Sequence, residues 1–384
     1  MPDTYDVVVV GAGIFGSCTA YHCQKRGLKT LLIEQFSLGH KNGSSHGKSR
    51  IIRYAHPEGF YIPVVKDSYE QIEELEKKRG EKLWKNCGLL YLTNANHALE
   101  MSSHLNKHNC KNEIIVGNEI NKRYPQYEYD DSWSAVFDPK GGVLYADKWL
   151  NAFQDEFKKI GGIVYEKEKV ISYRDGEKGI ILTTMKRVIK AKKAIFTVGT
   201  WLQQLVPELV PIVKAQPEAI CVVYWKPKRE SDLHYFGEDK MPVAIMENKE
   251  KNEYVYGLPT VDYPNAIKFG FHGGDRYNIG DEAHPPDQEL IEKPRRHLQK
   301  HLKMIDASAP VHIDRCKYTM SLDDHYVIDQ LPESPNVYVA GCCSGTGFKV
   351  APAIGRGLAC WVKNEKAPFD LSHFSLQRFK KSKI

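Results

Sequence analysis

The first 34 residues constrain this chain more than any other segment. Asp6 to Val10 read D-V-V-V-V, a β-branched run suited to a strand buried on both faces. Gly11 to Gly16 follow as G-A-G-I-F-G, and behind them Ile14, Cys18 and Tyr21 recur at helical spacing until Gly27, a C-terminal cap. A second apolar run, Leu31-Leu32-Ile33, ends at Glu34. That acid lies 34 − 16 = 18 residues after the last glycine, close to the offset of about 20 expected for a dinucleotide-binding unit. Gly11 supplies a tight turn, Gly13 lets the backbone approach a pyrophosphate, and Gly16 lets helix and strand pack closely. The helix N-terminus turns free N–H groups and a partial positive charge toward the phosphates. Glu34 is placed to accept hydrogen bonds from adenosine ribose hydroxyls. A lone G-x-G-x-x-G is weak evidence, and an α/β protein with a Gly-rich first turn is the alternative. Here strand, turn, helix, second strand and acid stand in the right order. FAD and NAD share this motif, so it does not choose between them.

The remaining pattern is mixed. Tyr69, Ile72 and Leu75 mark an amphipathic helix ending near Gly80, and Trp149, Leu150, Phe153, Phe157 and Ile160 mark another, closed by Gly161-Gly162. A strand is expected over Lys193 to Val198. Between about 216 and 320, short alternating runs such as Ile220 to Trp225 are separated by Pro and Gly, which reads as a mostly antiparallel sheet. Val337 to Ala340, a Gly-rich loop and a helix from about Val350 to Lys363 return to α/β. A chain of 384 residues is too long for one small core. Two domains are expected, interleaved rather than consecutive.

The 54 Lys and Arg are scattered among 48 acids, so no basic stripe for nucleic acid is present. Nine cysteines, an odd number without a C-x-x-C pair, point to a reducing compartment. No apolar stretch reaches the length of about 18 residues that a membrane span needs, and no leader pattern precedes Asp6. The expectation is a soluble intracellular protein without a membrane or nucleic-acid partner.

Four segments carry possible chemistry. Gly43 to Arg53 read G-S-S-H-G-K-S-R-I-I-R, where Ile51 and Ile52 draw the segment inward. Arg50 and Arg53 then need anions, either a carboxylate ligand or internal acids. Lys268 in A-I-K-F-G-F-H alternates with Phe269 and Phe271, which places Lys268, Gly270 and His272 on one strand face. That face could be solvated. Cys316 in R-C-K-Y-T reads, alone, as a small buried hydrophobe. Lys349 follows the loop Gly341 to Phe348, whose Gly345 and Gly347 let a backbone come close to a flat ligand. The helix start behind that loop favours negative charge.

Together these segments resemble the monomeric sarcosine oxidase family, including its animal branch that acts on sarcosine or L-pipecolate in peroxisomes. The resemblance runs through G-A-G-I-F-G, E-Q-F, G-S-S-H-G-K-S-R-I-I-R, Y-G-L-P-T, K-F-G-F-H, C-K-Y-T, S-G-T-G-F-K and P-F-D-L, across essentially the whole chain. It implies an α/β fold (α+β overall), with a Rossmann-like FAD-binding domain over 1–85, 141–215 and 321–384. A mostly antiparallel substrate domain would occupy 86–140 and 216–320. It implies FAD attached covalently through its 8α-methyl group to Cys316, against the plainer reading of that residue. Arg53 and Lys349 fall on the family's substrate-carboxylate ligands. Arg50 and His46 fall beside the flavin ring, Lys268 on the basic residue near N5 where oxygen is activated, and Tyr256, His272 and Tyr318 on the amino-acid pocket. The implied reaction oxidises the C–N bond of a small secondary amino acid to an imine and reduces O2 to H2O2. Two departures stand out: Thr346 replaces a histidine that contacts the flavin, and Cys342-Cys343 occupy a site where a bulkier residue is common. Rival expectations are an oxidase of other N-alkyl or glycated amino acids and a flavin-binding interaction protein without turnover. The chain ends Ser382-Lys383-Ile384, a variant of the S-K-L peroxisomal address read by an import receptor. The family also implies a monomer.

Overall fold

The computed structural model describes residues 4–248, 253–281 and 287–379. The Ser382-Lys383-Ile384 address lies outside them.

The strand Thr4–Val10 sits at the centre of an eight-stranded sheet, parallel to Thr30–Ile33 on one side and to Val188–Phe196 on the other. Its valines serve two cores because successive side chains point to opposite faces. Val7 and Val9 join the helical layer built from Ile14–Lys25, Tyr61–Arg79, Ala146–Lys159 and Ala351–Val362. Val8 and Val10 join the layer under the hairpin Val170–Gly176/Gly179–Thr184 and the short helices after Trp201. The sheet is completed by Ile163–Tyr165 beside Thr30–Ile33, and by Ser334–Gly341 parallel to Val188–Phe196, with Val327–Leu331 at its edge.

The first turn is possible only with glycines. Gly11 has φ +98°, and a Cβ there would lie 2.6 Å from the Thr197 carbonyl oxygen. A Cβ on Gly16 would lie 1.8 Å from the Gly11 carbonyl oxygen, so helix Ile14–Lys25 reaches the strand only because Gly16 has none.

A second sheet of ten strands is mostly antiparallel, as the alternation between 216 and 320 predicts. Its centre is the run Gln216–Pro227, Ala266–Phe271, Glu253–Tyr263 and Val243–Asn248. Leu89–Thr93, Ser134–Asp138 and Glu113–Val116 extend it, with one parallel pairing between Val243–Asn248 and Leu89–Thr93. His312–Met320, which carries Cys316, pairs with Gln216–Pro227. Helix Glu289–His301 covers this sheet's core. A small third sheet joins Ser49–Ile52, Gly142–Tyr145 and Trp84–Asn86. The helix predicted around Tyr69 begins earlier, at Tyr61, because Ile62, Val64 and Val65 extend its buried face and Pro63 falls in the first turn, where a missing N–H costs nothing. Among the described residues no helix is long and apolar enough to cross a membrane.

Candidate active site

A cavity of about 1110 Å³ runs from the Gly11 turn into the space between the two large sheets. That exceeds the usual range of about 300–1,000 Å³ for ligand pockets, which suits a dinucleotide with a small second ligand. Gly11, Gly13 and Glu34 line the cavity at the glycine turn, and Arg50, Arg53, Tyr256, Lys268, His272, Cys316, Tyr318, Gly345, Gly347 and Lys349 line the remainder. Of the residues singled out in the sequence, Gly16 and His46 do not line it. Gly16 is the packing contact already described. His46 turns both ring nitrogens to backbone carbonyls, Nδ1 to Gly43 at 2.7 Å and Nε2 to Arg315 at 2.9 Å, and so braces its loop against the Cys316 strand.

At the glycine turn, Glu34 accepts hydrogen bonds from the backbone N–H of Ala12 (2.8 Å) and of Phe36 (3.0 Å) and lies 3.5 Å from His40 Nε2. These contacts and the His40 pairing hold its carboxyl below the ordinary carboxylate range despite burial. A fixed anion at the end of the second strand matches a ribose diol. The open glycine turn matches a diphosphate, and the residues present fit FAD. The Cys316 Sγ makes only weak contacts, 4.0 Å from the Ser44 carbonyl and 3.9 Å from that of Lys317. Arg50 meets no acid among the described residues: it donates to the carbonyls of Ser49 (2.8 Å), Ser44 (3.0 Å) and His46 (2.7 Å) and lies over the Phe348 ring.

The cavity wall holds two buried cations. Arg53 is 7% exposed and Lys349 is 3% exposed. The Lys349 ammonium donates to the Thr346 carbonyl at 2.8 Å, and Arg53 Nη1 is buried without a hydrogen-bond partner. Neither forms an ion pair among the described residues, so the reading of Arg53 as an arginine paired with an internal acid is corrected. Burial pulls both pKa values down, and the Arg53 charge lowers that of Lys349 further. Beside them, burial and then Arg53 and Lys349 push His272 to about 4, so its imidazole is neutral at neutral pH. Thr346, the departure from the family pattern, shares a hydrogen bond of 2.9 Å with the Tyr326 hydroxyl.

Lys268 is 3% exposed and faces the cavity, so its strand face is not a solvated one. Its partners, Ser49 and Asp262, were missed in the sequence. Asp262 sits in V-D-Y-P-N, a composition that reads as a plain hairpin turn. Tyr91 and Tyr254, also in the wall, are not singled out by the sequence.

This fold and cavity define a dinucleotide-binding oxidoreductase. The FAD dependent oxidoreductase family matches residues 6–361, and the chain belongs to that family. The chain is 52% identical over 387 residues to a Caenorhabditis elegans protein assigned as a sarcosine oxidase, with 100% of each chain covered. It is 33% identical to the peroxisomal sarcosine oxidase of Mus musculus, covering 98% of this chain and 97% of the other. It is 30% identical to a monomeric sarcosine oxidase of a Bacillus strain, covering 98% of both. Among solved structures, L-proline dehydrogenase from P. horikoshii superposes with a TM-score of 0.82 at 20% identity, covering 100% of both chains, and shares the fold.

Proposed function

We propose that this protein is an FAD-dependent oxidase of small secondary amino acids, sarcosine or L-pipecolate. The observation that carries the proposal is the pair of buried cations, Arg53 with an unpartnered Nη1 and Lys349 beside it, facing the cavity. Two such groups call for an anion, and a substrate carboxylate answers both. Held there, the amino acid turns the C–H next to its nitrogen toward the middle of the cavity. FAD, when bound, accepts the two electrons and passes them to O2. The substrate loses two electrons and two protons in becoming an imine, O2 takes up the equivalent to leave as H2O2, and water then hydrolyses the imine. Neutral His272 and the hydroxyls of Tyr256 and Tyr318 line the amine side without adding charge. Lys268 places a cation where oxygen is reduced, favouring charge transfer to O2 in a water-poor site.

Further parts of the proposal are the attachment of FAD to Cys316 through the 8α-methyl group and the division of labour between the sheets. The FAD-binding domain takes 1–85, 141–215 and 321–384, and the substrate domain 86–140 and 216–320. Delivery to the peroxisome through Ser382-Lys383-Ile384 and a monomeric state are also proposed; both are supported by the names of the mouse and Bacillus relatives. One experiment tests the activity. Purified protein is assayed for peroxide with sarcosine, L-pipecolate, L-proline, larger N-methyl amino acids and a glycated amino acid. Peroxide with sarcosine or L-pipecolate supports the proposal, and turnover confined to the larger or glycated substrates overturns it.

A further inference from the structure

Lys268 is surrounded by a set of contacts that the reaction scheme does not use. Its ammonium donates to the Ser49 hydroxyl at 2.6 Å and lies 2.9 Å from Asp262 Oδ2 and 3.3 Å from the Ser49 carbonyl. The Ser49 hydroxyl donates its own hydrogen bond to the same Asp262 oxygen. Asp262 Oδ1 accepts from the Lys48 backbone N–H at 3.3 Å, and the Asp262 carbonyl accepts from the Lys48 ammonium at 3.1 Å. The carboxylate is 5% exposed. It reaches this position because the Glu253–Tyr263 ladder with Ala266–Phe271 breaks register between Leu258 and Tyr263. Lys268 lines the cavity, and Asp262 lies behind it.

We propose that Asp262 is a positioning residue for the oxygen-reducing half of the reaction, holding the Lys268 ammonium protonated and turned toward the cavity. This rests on the role given to Lys268 above. The groups facing Lys268 come from four elements. Asp262 on Glu253–Tyr263 and Asp314 on His312–Met320 favour its proton. Arg50 on Ser49–Ile52 opposes it, and shares the Ser49 carbonyl with it. The Tyr224 ring on Gln216–Pro227 lies 5.5 Å from the ammonium. Burial is the largest influence and acts against the charge, with Asp262 the largest opposing it. Without Asp262, a buried ammonium beside an arginine would shed its proton at a lower pH. The ammonium and carboxylate then form a dipole whose positive end faces the site of reaction.

The test compares Asp262→Asn, Lys268→Met and the double variant in flavin-loaded protein. In stopped flow, reoxidation of the reduced enzyme by O2 is followed against pH, alongside reduction by substrate. Asp262→Asn should match the parent protein at low pH and lose reoxidation rate as pH rises, because the protonation step of Lys268 moves down. Each unit of that move costs about tenfold above both pKa values. Substrate reduction should change far less. A purely structural Asp262 would instead slow both half-reactions equally at every pH, and an unaltered or faster reoxidation would also overturn the proposal. Lys268→Met separates the two ideas: if it leaves reoxidation untouched, the role of Lys268 fails first. If it slows reoxidation while Asp262→Asn follows the parent profile, only the inference about Asp262 fails. Thermal midpoints supply a readout independent of turnover. The double variant should lose less than the sum of the single losses, since each single change leaves a buried charge unpaired. Should Asp262→Asn not fold, recovery of folding in the double variant supports the pair, and failure of both overturns it.

Discussion

The Arg53 guanidinium carbon lies 5.5 Å from the centroid of the Tyr91 ring, while its Nη1 is buried with no hydrogen-bond partner. An aromatic face gives a buried cation partial support, on the order of 0.5–2 kcal/mol, without occupying its forked donors. A carboxylate of the protein in the same place would neutralise the arginine and block it. The Tyr91 ring keeps Arg53 folded into the wall and leaves the fork for a ligand.

Replacing Arg53 with alanine should therefore act mainly on substrate binding. Loss of one partner from a buried charge pair costs about 2–5 kcal/mol, which corresponds to roughly 30- to several-thousand-fold in kcat/KM. Most of the loss should fall on KM. Steady-state kinetics with the best amino acid found by the panel checks this, and an unchanged KM removes Arg53 from the carboxylate site.

Cys316→Ser tests the attachment. The parent protein should retain its yellow colour in the pellet after acid precipitation, whereas the variant should release FAD to the supernatant. Colour that stays with the precipitated variant places the link elsewhere.

Gly16→Ala tests the first turn. The added methyl has a backbone carbonyl in its way rather than a movable side chain. Helix Ile14–Lys25 must lift from the sheet, at a cost of about 1–3 kcal/mol, and FAD affinity should fall with it. Calorimetry and flavin content check both, and a variant with the parent's midpoint and full flavin would show that the turn has slack.

Acid stability should depend on His22. Burial pushes its pKa from the ordinary 6.5 down to about 3, although Gln71 bonds Nε2 at 2.6 Å. Between those values the unfolded chain binds a proton that the folded chain refuses. Stability conferred on the folded state is thus present above about pH 6.5 and drains away as pH falls toward 3. The slope from one such group is about 1.4 kcal/mol per pH unit. In His22→Gln the slope of unfolding free energy against pH over this window should be smaller by that amount. An identical slope would assign the acid sensitivity to other groups.

Much of the cofactor end was legible because local sequence determines it. The strand Thr4–Val10, the turn at Gly11 and the helix behind it are adjacent in the chain, and each declares itself through periodicity or glycine. The antiparallel sheet was visible for the same reason, in the alternation around Ile220 to Trp225. What escaped is the company that functional residues keep. Lys268 was found, but Asp262, six residues earlier, looks like turn chemistry, and only the break in register brings it under the ammonium. Tyr91 lies in the second sheet and Arg53 just past the end of Ser49–Ile52, so nothing local announces that they meet. His46 is the converse case: its neighbours in sequence line the cavity, while its own ring turns back to two carbonyls.

The chain contributes to the first sheet in three visits, over 4–33, 163–196 and 327–341, and to the second in two, over 89–138 and 216–320. On the ribosome this order matters. The glycine turn emerges long before Ser334–Gly341, which flanks Val188–Phe196, and before the Lys349 loop. The cavity cannot close around a cofactor until Gly341–Lys349 have been made. Flavin loading thereby waits on that loop, and Thr4–Val10 keeps one edge open only until Val188–Phe196 has been made.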